Sequence, residues 1–174
     1  MNQADINARL QQSDNQYLCF LLAGDTYAID ILSVREIRGW GPVRALPGMP
    51  AFVKGVLDLR GSIIPVIDLR LRFGQRQVDY TETTVIIVVR TNAGKGARTF
   101  GVVVDSVSDV LDAHDHQIMP APRLGCAVDT RYLRGMVSLD DGMVVLLDID
   151  KVFDSSEFEA LAELGDCADD GEQP

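Results

Sequence analysis

The sequence has few of the residues that build catalytic, metal or disulfide sites. Its three cysteines, Cys19, Cys126 and Cys167, are far apart and in no CxxC or Cys/His spacing. They therefore predict neither a disulfide framework nor a zinc site, and they fit a reducing compartment. The chain also has no GxSxG, no GxGxxG after a strand and no HExxH, the motifs of common hydrolases, dinucleotide sites and zinc proteases. We therefore expect that the protein is not an enzyme and binds no cofactor.

Long hydrophobic runs are also missing. The longest unbroken aliphatic runs, such as 85–89 and 143–147, have five residues, whereas a membrane helix needs about 20. The N-terminus is polar and lacks the apolar stretch of a signal peptide,. Aromatic residues are only 6% of the chain and the net charge is -10, which disfavours nucleic-acid binding because such sites use stacking rings and excess cations. We expect a cytoplasmic protein that does not insert into a membrane.

The apolar residues that are present indicate an all-β fold. With 174 residues, 47% hydrophobic and 24% charged, the chain has the composition of a globular protein. Most apolar residues lie in runs of four to eight, rich in Val, Ile and Leu and separated by Gly, Asp and Pro, which is typical of strands. The predicted strands are 16–23, 26–31, 55–59, 62–68, 84–90, 98–104, 135–139 and 142–148. A capping box at 154–157, followed by Phe158, Leu161 and Leu164, predicts a short C-terminal helix.

An internal repeat organises these strands. Aligning 52–73 with 132–153 matches Gly55 with Gly135 and Asp68 with Asp148. In the same way 27–37 aligns with 100–110, and strand 18–22 corresponds to 86–90. The chain is therefore two copies of one β-unit, at about 17–76 and 84–153. Asp68 and Asp148 each end a strand before a short helical stretch, so N-capping is favoured over a catalytic carboxylate pair.

Charge is distributed unevenly between the two copies. Residues 34–76 contain eight basic and three acidic residues, a balance of +5, whereas 114–156 contain four basic and seven acidic ones, a balance of -3. The tail 154–174 has eight acidic residues and no Lys or Arg. Opposite charge on two similar units suggests two different partners, although a neutral drift of solvated charges remains an alternative. A second alternative is a small barrel that binds oligonucleotides or phosphorylated ligands on its basic face.

Few individual residues suggest a binding site by themselves. Arg60 lies in a predicted two-residue turn, where its guanidinium could hold a carboxylate or remain a solvated charge,. Val34 and Ile37 would share a face if their segment were a helical turn, and they could simply cover the end of a barrel. His114 and His116, with Asp112, form a weak metal-site candidate that lacks further ligands. We expect no metal.

Three segments closely resemble the CheW family of bacterial chemotaxis coupling proteins. They are YLCFLLAGDTYAIDILSVREIRGW at 17–40, PAFVKGVLDLRGSIIPVIDLRLRFG at 50–74 and FGVVVDSVSDVL at 100–111, and the resemblance extends from about 16 to 153. It implies two intertwined five-stranded SH3-like barrels packed across a hydrophobic interface, with possible strand exchange. Residues 1–15 would be a flexible segment, and 154–174 an acidic helix followed by a disordered tail.

The resemblance also implies a function without catalysis. Family members join the cytoplasmic tip of chemoreceptors to the regulatory domain of the histidine kinase CheA, and other CheW-like proteins can complete the array rings. A type IV pilus pathway is an alternative setting. The expected kinase contact is a surface of the first barrel around Gly55. The expected receptor-binding residues lie in a groove between the barrels: Val34, Glu36, Arg60, Val85, Gly101, Val107 and Val110.

Overall fold

Two β-sheets make up most of the computed structural model, which describes residues 4, 15–92, 96–121, 130–154 and 158. Short 3-10 turns lie at Ile31–Ser33, Asp115–Gln117 and Thr130–Tyr132, and the α-helical turns are α1 (Leu69–Arg72) and α2 (Ile149–Val152). The strands are β1 (Gln16–Leu22), β2 (Asp25–Asp30), β3 (Val34–Gly39), β4 (Val53–Leu59), β5 (Ser62–Asp68), β6 (Val85–Thr91), β7 (Arg98–Val104), β8 (Ser106–Asp112), β9 (Ile118–Met119), β10 (Leu133–Leu139) and β11 (Gly142–Leu147).

Each sheet combines strands from both sequence copies. The six-stranded sheet has the order β8-β1-β2-β11-β10-β9, and the five-stranded sheet has the order β3-β6-β7-β5-β4. The extra strand of the larger sheet is the two-residue β9. Strands β5 and β7 pair in parallel with Val66 opposite Gly101, and β11 and β2 pair in parallel with Leu146 opposite Ala28. The repeat matches Val66 with Leu146 and Gly101 with Ala28, so it converts the first pairing into the second and relates the two sheets.

Local hydrogen bonds follow the same repeat. The Asp68 N–H donates to the carbonyl oxygen of Phe52 over 2.8 Å, and the Asp148 N–H donates to that of Tyr132 over 2.8 Å. The Asp68 side chain caps α1 and the Asp148 side chain caps α2, which confirms the predicted N-caps.

One detail of the repeat was wrong by a single position. The sequence comparison matched strand 18–22 with 86–90, which places Leu18 over Ile86. Strands β1 and β6 instead show the same burial pattern from their first residues, Gln16 and Val85. That alignment matches Leu18 with Ile87, and both of these side chains belong to the same core cluster.

Three apolar clusters explain the uninterrupted aliphatic runs. Along β1, Leu18 and Phe20 point into a large cluster shared by both sheets, whereas Tyr17 and Cys19 point into a cluster belonging to the six-stranded sheet. Strands of the five-stranded sheet divide in the same way between the shared cluster and a third cluster, around Val66. A central strand buried on both faces needs apolar residues at every position. The architecture is two small barrels with their own interiors and a common core, as the SH3-like fold requires.

Strands β3, β8 and β9 were not predicted from the sequence. The interpretation of Val34 and Ile37 as one face of a helical turn was wrong, because only Ile31–Ser33 forms a 3-10 turn and both Val34 and Ile37 lie in β3. Residues three apart in a regular strand face opposite sides. A shift in register between Val34 and Glu36 restores both side chains to the shared core, which is the effect of a β-bulge.

The predicted C-terminal helix falls mostly outside the described residues. Of that segment, Asp154 follows α2 without regular structure, and Phe158 is helical and fully buried. Its ring lies 4.8 Å from that of Phe153 in an edge-on arrangement and 6.0 Å from that of Phe52. Phe158 therefore adds an aromatic contact to the core shared by the two barrels.

Cys19 is expected to resist alkylation in the folded protein. Burial first, and then the charge of Asp109, raises the pKa of its thiol to about 12. At pH 9 only about one thiol in a thousand would be the reactive thiolate. Treatment with iodoacetamide at pH 9, followed by peptide mapping, should leave the Cys19 peptide unmodified until denaturant is added. Rapid modification without denaturant would contradict the burial of this residue.

Candidate functional site

An ion pair joins the two outer strands of the five-stranded sheet. Glu36 lies on β3, and Arg60 lies at the tip of the β4–β5 hairpin. The Arg60 Nη2 donates to Glu36 Oε2 over 2.9 Å, and the Arg38 Nε lies 3.9 Å from Glu36 Oε1. Because β3 and β4 are opposite edges of this sheet, a contact between β3 and the turn after β4 indicates that the sheet is curled. The pair is solvent-exposed, so its contribution to stability is about 0–1 kcal/mol.

The backbone holds Arg60 in an unusual conformation. Its φ is +53° and that of Gly61 is +89°, the two positive values that a tight two-residue hairpin turn needs. The Asp58 carboxylate accepts a hydrogen bond from the Gly61 N–H over 3.0 Å and supports the turn. A positive φ is costly for a residue with a Cβ, yet arginine occupies the position with 82% of its side chain exposed. The turn presents a guanidinium to solvent at a cost in backbone strain.

The predicted apolar site residues meet in the shared core. Val34 and Val110 are buried, Val85 and Val107 are half-buried, and all four belong to or pack against the cluster common to both sheets. Val34 pairs with Val89, and Val107 pairs with Phe20. Since the repeat relates these two pairings, Val34 and Val107 occupy equivalent places on the edge strands β3 and β8. The structure thus brings the apolar site residues together where the barrels meet.

Two glycines of the predicted sites lie elsewhere. Gly101 is buried in β7, and a Cβ there would meet Cγ2 of Ile86 at 3.0 Å, inside the five-stranded barrel. Gly55 is buried in β4 with φ +140°, and a Cβ there would overlap the carbonyl of Arg44. Neither glycine is a surface contact. Both shape the barrel on which the surface residues stand.

The sequence analysis did not identify Leu32 as an exposed hydrophobic residue near the candidate site. Its side chain is 58% exposed, the largest fraction among the large hydrophobic residues that the structure describes as exposed. It lies in the turn between β2 and β3, two residues before Val34, and its N–H donates to the Asp30 carboxylate over 2.9 Å. Its flanking residue Ile31 is fully buried, so hydrophobicity alone could not have separated the exposed residue from the buried one.

A buried arginine network lies at the other end of β5 from Arg60. Arg70 is 2% exposed, and its guanidinium donates to Asp68 through Nε at 3.0 Å and Nη2 at 2.9 Å, and to Asp105 through Nη1 at 2.7 Å. Tyr80 also donates to Asp68. Burial lowers the pKa of Arg70, but its bonds to Asp68 and Asp105 outweigh that effect and raise the pKa overall. Arg70 is one of the eight basic residues counted in 34–76, and the structure buries it.

The uneven charge lies on different barrels. Residues 34–76 supply β3, β4 and β5 of the five-stranded sheet, and 114–156 supply β9, β10 and β11 of the six-stranded sheet. Because the buried Arg70–Asp68 pair contributes one charge of each sign, removing it from the count leaves the +5 balance unchanged. One barrel is therefore basic and the other acidic, a polarity that steers partners more than it adds affinity.

The two histidines stack on each other. The His114 and His116 rings lie 5.7 Å apart and nearly parallel, and His114 Nδ1 is 3.4 Å from the Asn15 amide nitrogen. Within the described ranges, no three His, Cys, Asp or Glu side chains are placed to hold a metal ion. Among the helices of these same ranges, none has the length and apolar character needed to cross a bilayer.

Fold and site together define a class of protein: a double β-barrel without a metal-binding cluster among its described residues, whose edge strands and turns carry apolar and charged groups. A family model described as the CheW-like domain matches residues 16–157. The chain is 46% identical to the chemotaxis protein CheW of Klebsiella aerogenes over 142 residues, covering 82% of this chain and 83% of that one. It is 36% identical to the probable chemotaxis protein CheW of Rhizobium etli, covering 87% and 95%.

A solved structure shows the same fold. The scaffolding protein TtCheW from Thermoanaerobacter tengcongensis superimposes with a TM-score of 0.73 at 30% identity, covering 84% of this chain and 92% of that chain. The chain belongs to the CheW-like family, and it is a chemotaxis adaptor with a fold of two SH3-like barrels.

Proposed function

We propose that this protein couples the cytoplasmic tip of chemoreceptors to the regulatory domain of the kinase CheA, without catalysing a reaction. It would act in the cytoplasm and be held at the inner membrane by the receptor arrays. The observation that carries the proposal is the exposed Glu36–Arg60 pair beside apolar residues contributed by both barrels. Membership of the CheW-like family supports the same assignment.

The receptor would bind where the barrels meet. Val85 and Val107 are half-buried and come from different sheets, so an apolar side chain from a receptor helix could contact both. Glu36 and Arg60 would contact polar groups at the edge of that contact. Apolar anchors at the centre and charged residues at the rim are the usual division of roles in a protein interface. Val34 and Val110 are buried and would support the contact from beneath.

The kinase would bind the five-stranded barrel. Gly55 is covered by the 44–45 segment, so the surface around it is formed by residues such as the exposed Arg44. A second contact through the acidic barrel, with a kinase or another CheW-like protein, would complete an array ring. The coupling function would reside in the two-barrel region, 16–153. Contacts that must turn over predict affinities near micromolar, about -8 kcal/mol.

Reversing the charge at Arg60 tests the receptor site. We expect Arg60→Glu to weaken binding of a receptor signalling fragment about 30-fold, or about 2 kcal/mol. The substitution removes an arginine from the rim of the contact and puts a carboxylate there, beside Glu36. Isothermal titration calorimetry would measure the change. Arg76→Glu, at an exposed position, is the matched control and should bind normally. Val34 is a poorer probe because it is 7% exposed and a charge there would destabilise the fold.

Exchanging the two charges distinguishes a role of the pair in binding the receptor from a role in linking β3 to the β4–β5 hairpin. Glu36→Arg combined with Arg60→Glu restores an ion pair between β3 and the hairpin but reverses its polarity. If the receptor contacts these charges, the double variant should remain defective although it is folded. Normal binding by Arg60→Glu, or full recovery in the double variant, would contradict the assignment of this pair to receptor recognition.

A further inference from the structure

A carboxylate bridges the two barrels where the chain crosses between them. Asp105 lies between β7 of the five-stranded sheet and β8 of the six-stranded sheet. Its Oδ1 accepts from Arg70 Nη1 over 2.7 Å, and its Oδ2 accepts from the backbone N–H of Ala23 over 2.8 Å. Arg70 belongs to α1 beside the five-stranded sheet, whereas Ala23 lies in the β1–β2 turn of the other sheet. This set, Arg70–Asp105–Ala23, is called the first bridge.

A second bridge occupies the equivalent place in the other half. The Asn92 N–H donates to Asp150 Oδ1 over 2.8 Å. Asp150 belongs to α2, which follows β11 of the six-stranded sheet, and Asn92 directly follows β6 of the five-stranded sheet. The alignment of β1 with β6 from their first residues matches Ala23 with Asn92, and the alignment of 52–73 with 132–153 matches Arg70 with Asp150. The two bridges therefore connect equivalent positions with different side chains.

Both halves make the same connection by different chemistry. In both halves, a side chain from the helical turn that follows β5 or β11 in one barrel is linked to the end of a hairpin strand, β1 or β6, in the other barrel. One link is direct, through Asp150. The other needs an intermediate carboxylate, because arginine has only donors and cannot bind another N–H. Asp105 supplies that carboxylate. It binds Ala23 in the β1–β2 turn, where Ala23 has φ +57°, an unfavourable value for a residue other than glycine.

We propose that Asp105 and Asp150 are positioning residues that fix the orientation of the barrels and so set the receptor groove. The groove part of this inference rests on the proposed function. Val107, two residues after Asp105, lies in the groove on β8, whereas Val85 lies on the five-stranded side. A change in the angle between the barrels moves these two side chains relative to each other. The proposed contact with the kinase regulatory domain around Gly55 lies on the five-stranded barrel alone, so its affinity should be insensitive to that angle.

Asp105→Asn is the sharpest test. The amide keeps the size of the side chain but turns a donor toward either Arg70 or Ala23, so it cannot satisfy both. Arg70 retains its two bonds to Asp68, which protects the fold. Asp25→Asn, in the same β1–β2 hairpin and exposed, makes the same change of charge and is the control. Asp150→Ala removes the acceptor of the second bridge, whose hydrogen bond is solvent-exposed, and serves if the first variant does not fold.

Residual dipolar couplings of backbone amides report barrel orientation without reference to any partner. Couplings from both barrels of the wild type and of Asp25→Asn should fit one alignment tensor with the wild-type arrangement. In Asp105→Asn the two barrels should need different tensors or a changed angle. Wild-type orientation in every variant that folds would overturn the proposal.

Binding completes the test. At a temperature where each variant is folded, we expect Asp105→Asn to weaken receptor-fragment binding about 3- to 10-fold and to leave binding of the kinase regulatory domain within about twofold. A purely stabilising role would change neither affinity, because the folded fraction is unchanged, and that result would overturn the positioning role. If the wild type itself fails to bind the receptor fragment, the proposed function fails, while the dipolar couplings still decide whether the bridges orient the barrels.

Discussion

Arg70→Met is expected to lower the free energy of unfolding by about 3–5 kcal/mol, because it leaves the charge of Asp68 buried without its main partner. Asp68 is 0% exposed and accepts two hydrogen bonds from the Arg70 guanidinium. Methionine approximates the length of the arginine stem but donates no hydrogen bond. Urea denaturation followed by circular dichroism would measure the loss.

Two further variants identify its cause. Arg76→Met removes an exposed arginine and should change stability by less than about 0.5 kcal/mol. Asp68→Asn combined with Arg70→Met removes both buried charges and keeps an N-capping side chain, so it should recover part of the loss. A loss below about 1 kcal/mol in Arg70→Met would contradict the claim that the buried charge of Asp68 needs Arg70 to compensate it.

The second large effect is expected at Gly55. A Cβ at this position would overlap the Arg44 carbonyl, and that carbonyl accepts from the Val56 N–H over 2.9 Å while the Arg44 N–H donates back to Val56 over 2.9 Å. Gly55→Ala must displace this backbone pair and also adopt φ +140°. We expect a loss of about 4 kcal/mol, combining conformational strain with disrupted hydrogen bonds.

Gly142→Ala is the matched control for that experiment. Gly142 has φ +144°, but a Cβ there would meet nothing within 4 Å. Its substitution should cost only the conformational strain, about 1–3 kcal/mol. Thermal and urea unfolding of both variants would separate strain from overlap. Equal losses would show that the 44–45 segment yields easily and is not held against β4.

The repeat could be recognised from the sequence, but the way its strands are shared between the two sheets could not. Aligning 52–73 with 132–153 correctly placed Gly55 over Gly135, and each of these glycines lies under a neighbouring backbone segment. Whether β1 and β2 stay with their own copy or join the other is undetermined by hydrophobic pattern, because either arrangement buries the same side chains. The exchange is revealed by the pairings between strands of different copies, which are β5 with β7, β11 with β2, β1 with β8 and β3 with β6.

The candidate site could also be predicted only in part from the sequence. The turn containing Arg60 could be predicted because Arg60-Gly61 separates two apolar strands, and its partner Glu36 was chosen from the family motif. The bulge after Val34 has no sequence signal of its own, so β3 was mistaken for a helical turn. The burial of Arg70 could not be predicted, because one of the two carboxylates that compensate its charge, Asp105, lies far from it in the sequence.

Coupling itself is the central claim, and one reconstitution tests it most directly. Purified kinase and receptor signalling fragments would be assembled with and without this chain, and kinase autophosphorylation would be followed with radiolabelled ATP. We predict that the chain makes the kinase responsive to receptor, and that Arg60→Glu fails to do so while Arg76→Glu succeeds. Kinase activity that is equally receptor-dependent with and without the chain would contradict the account.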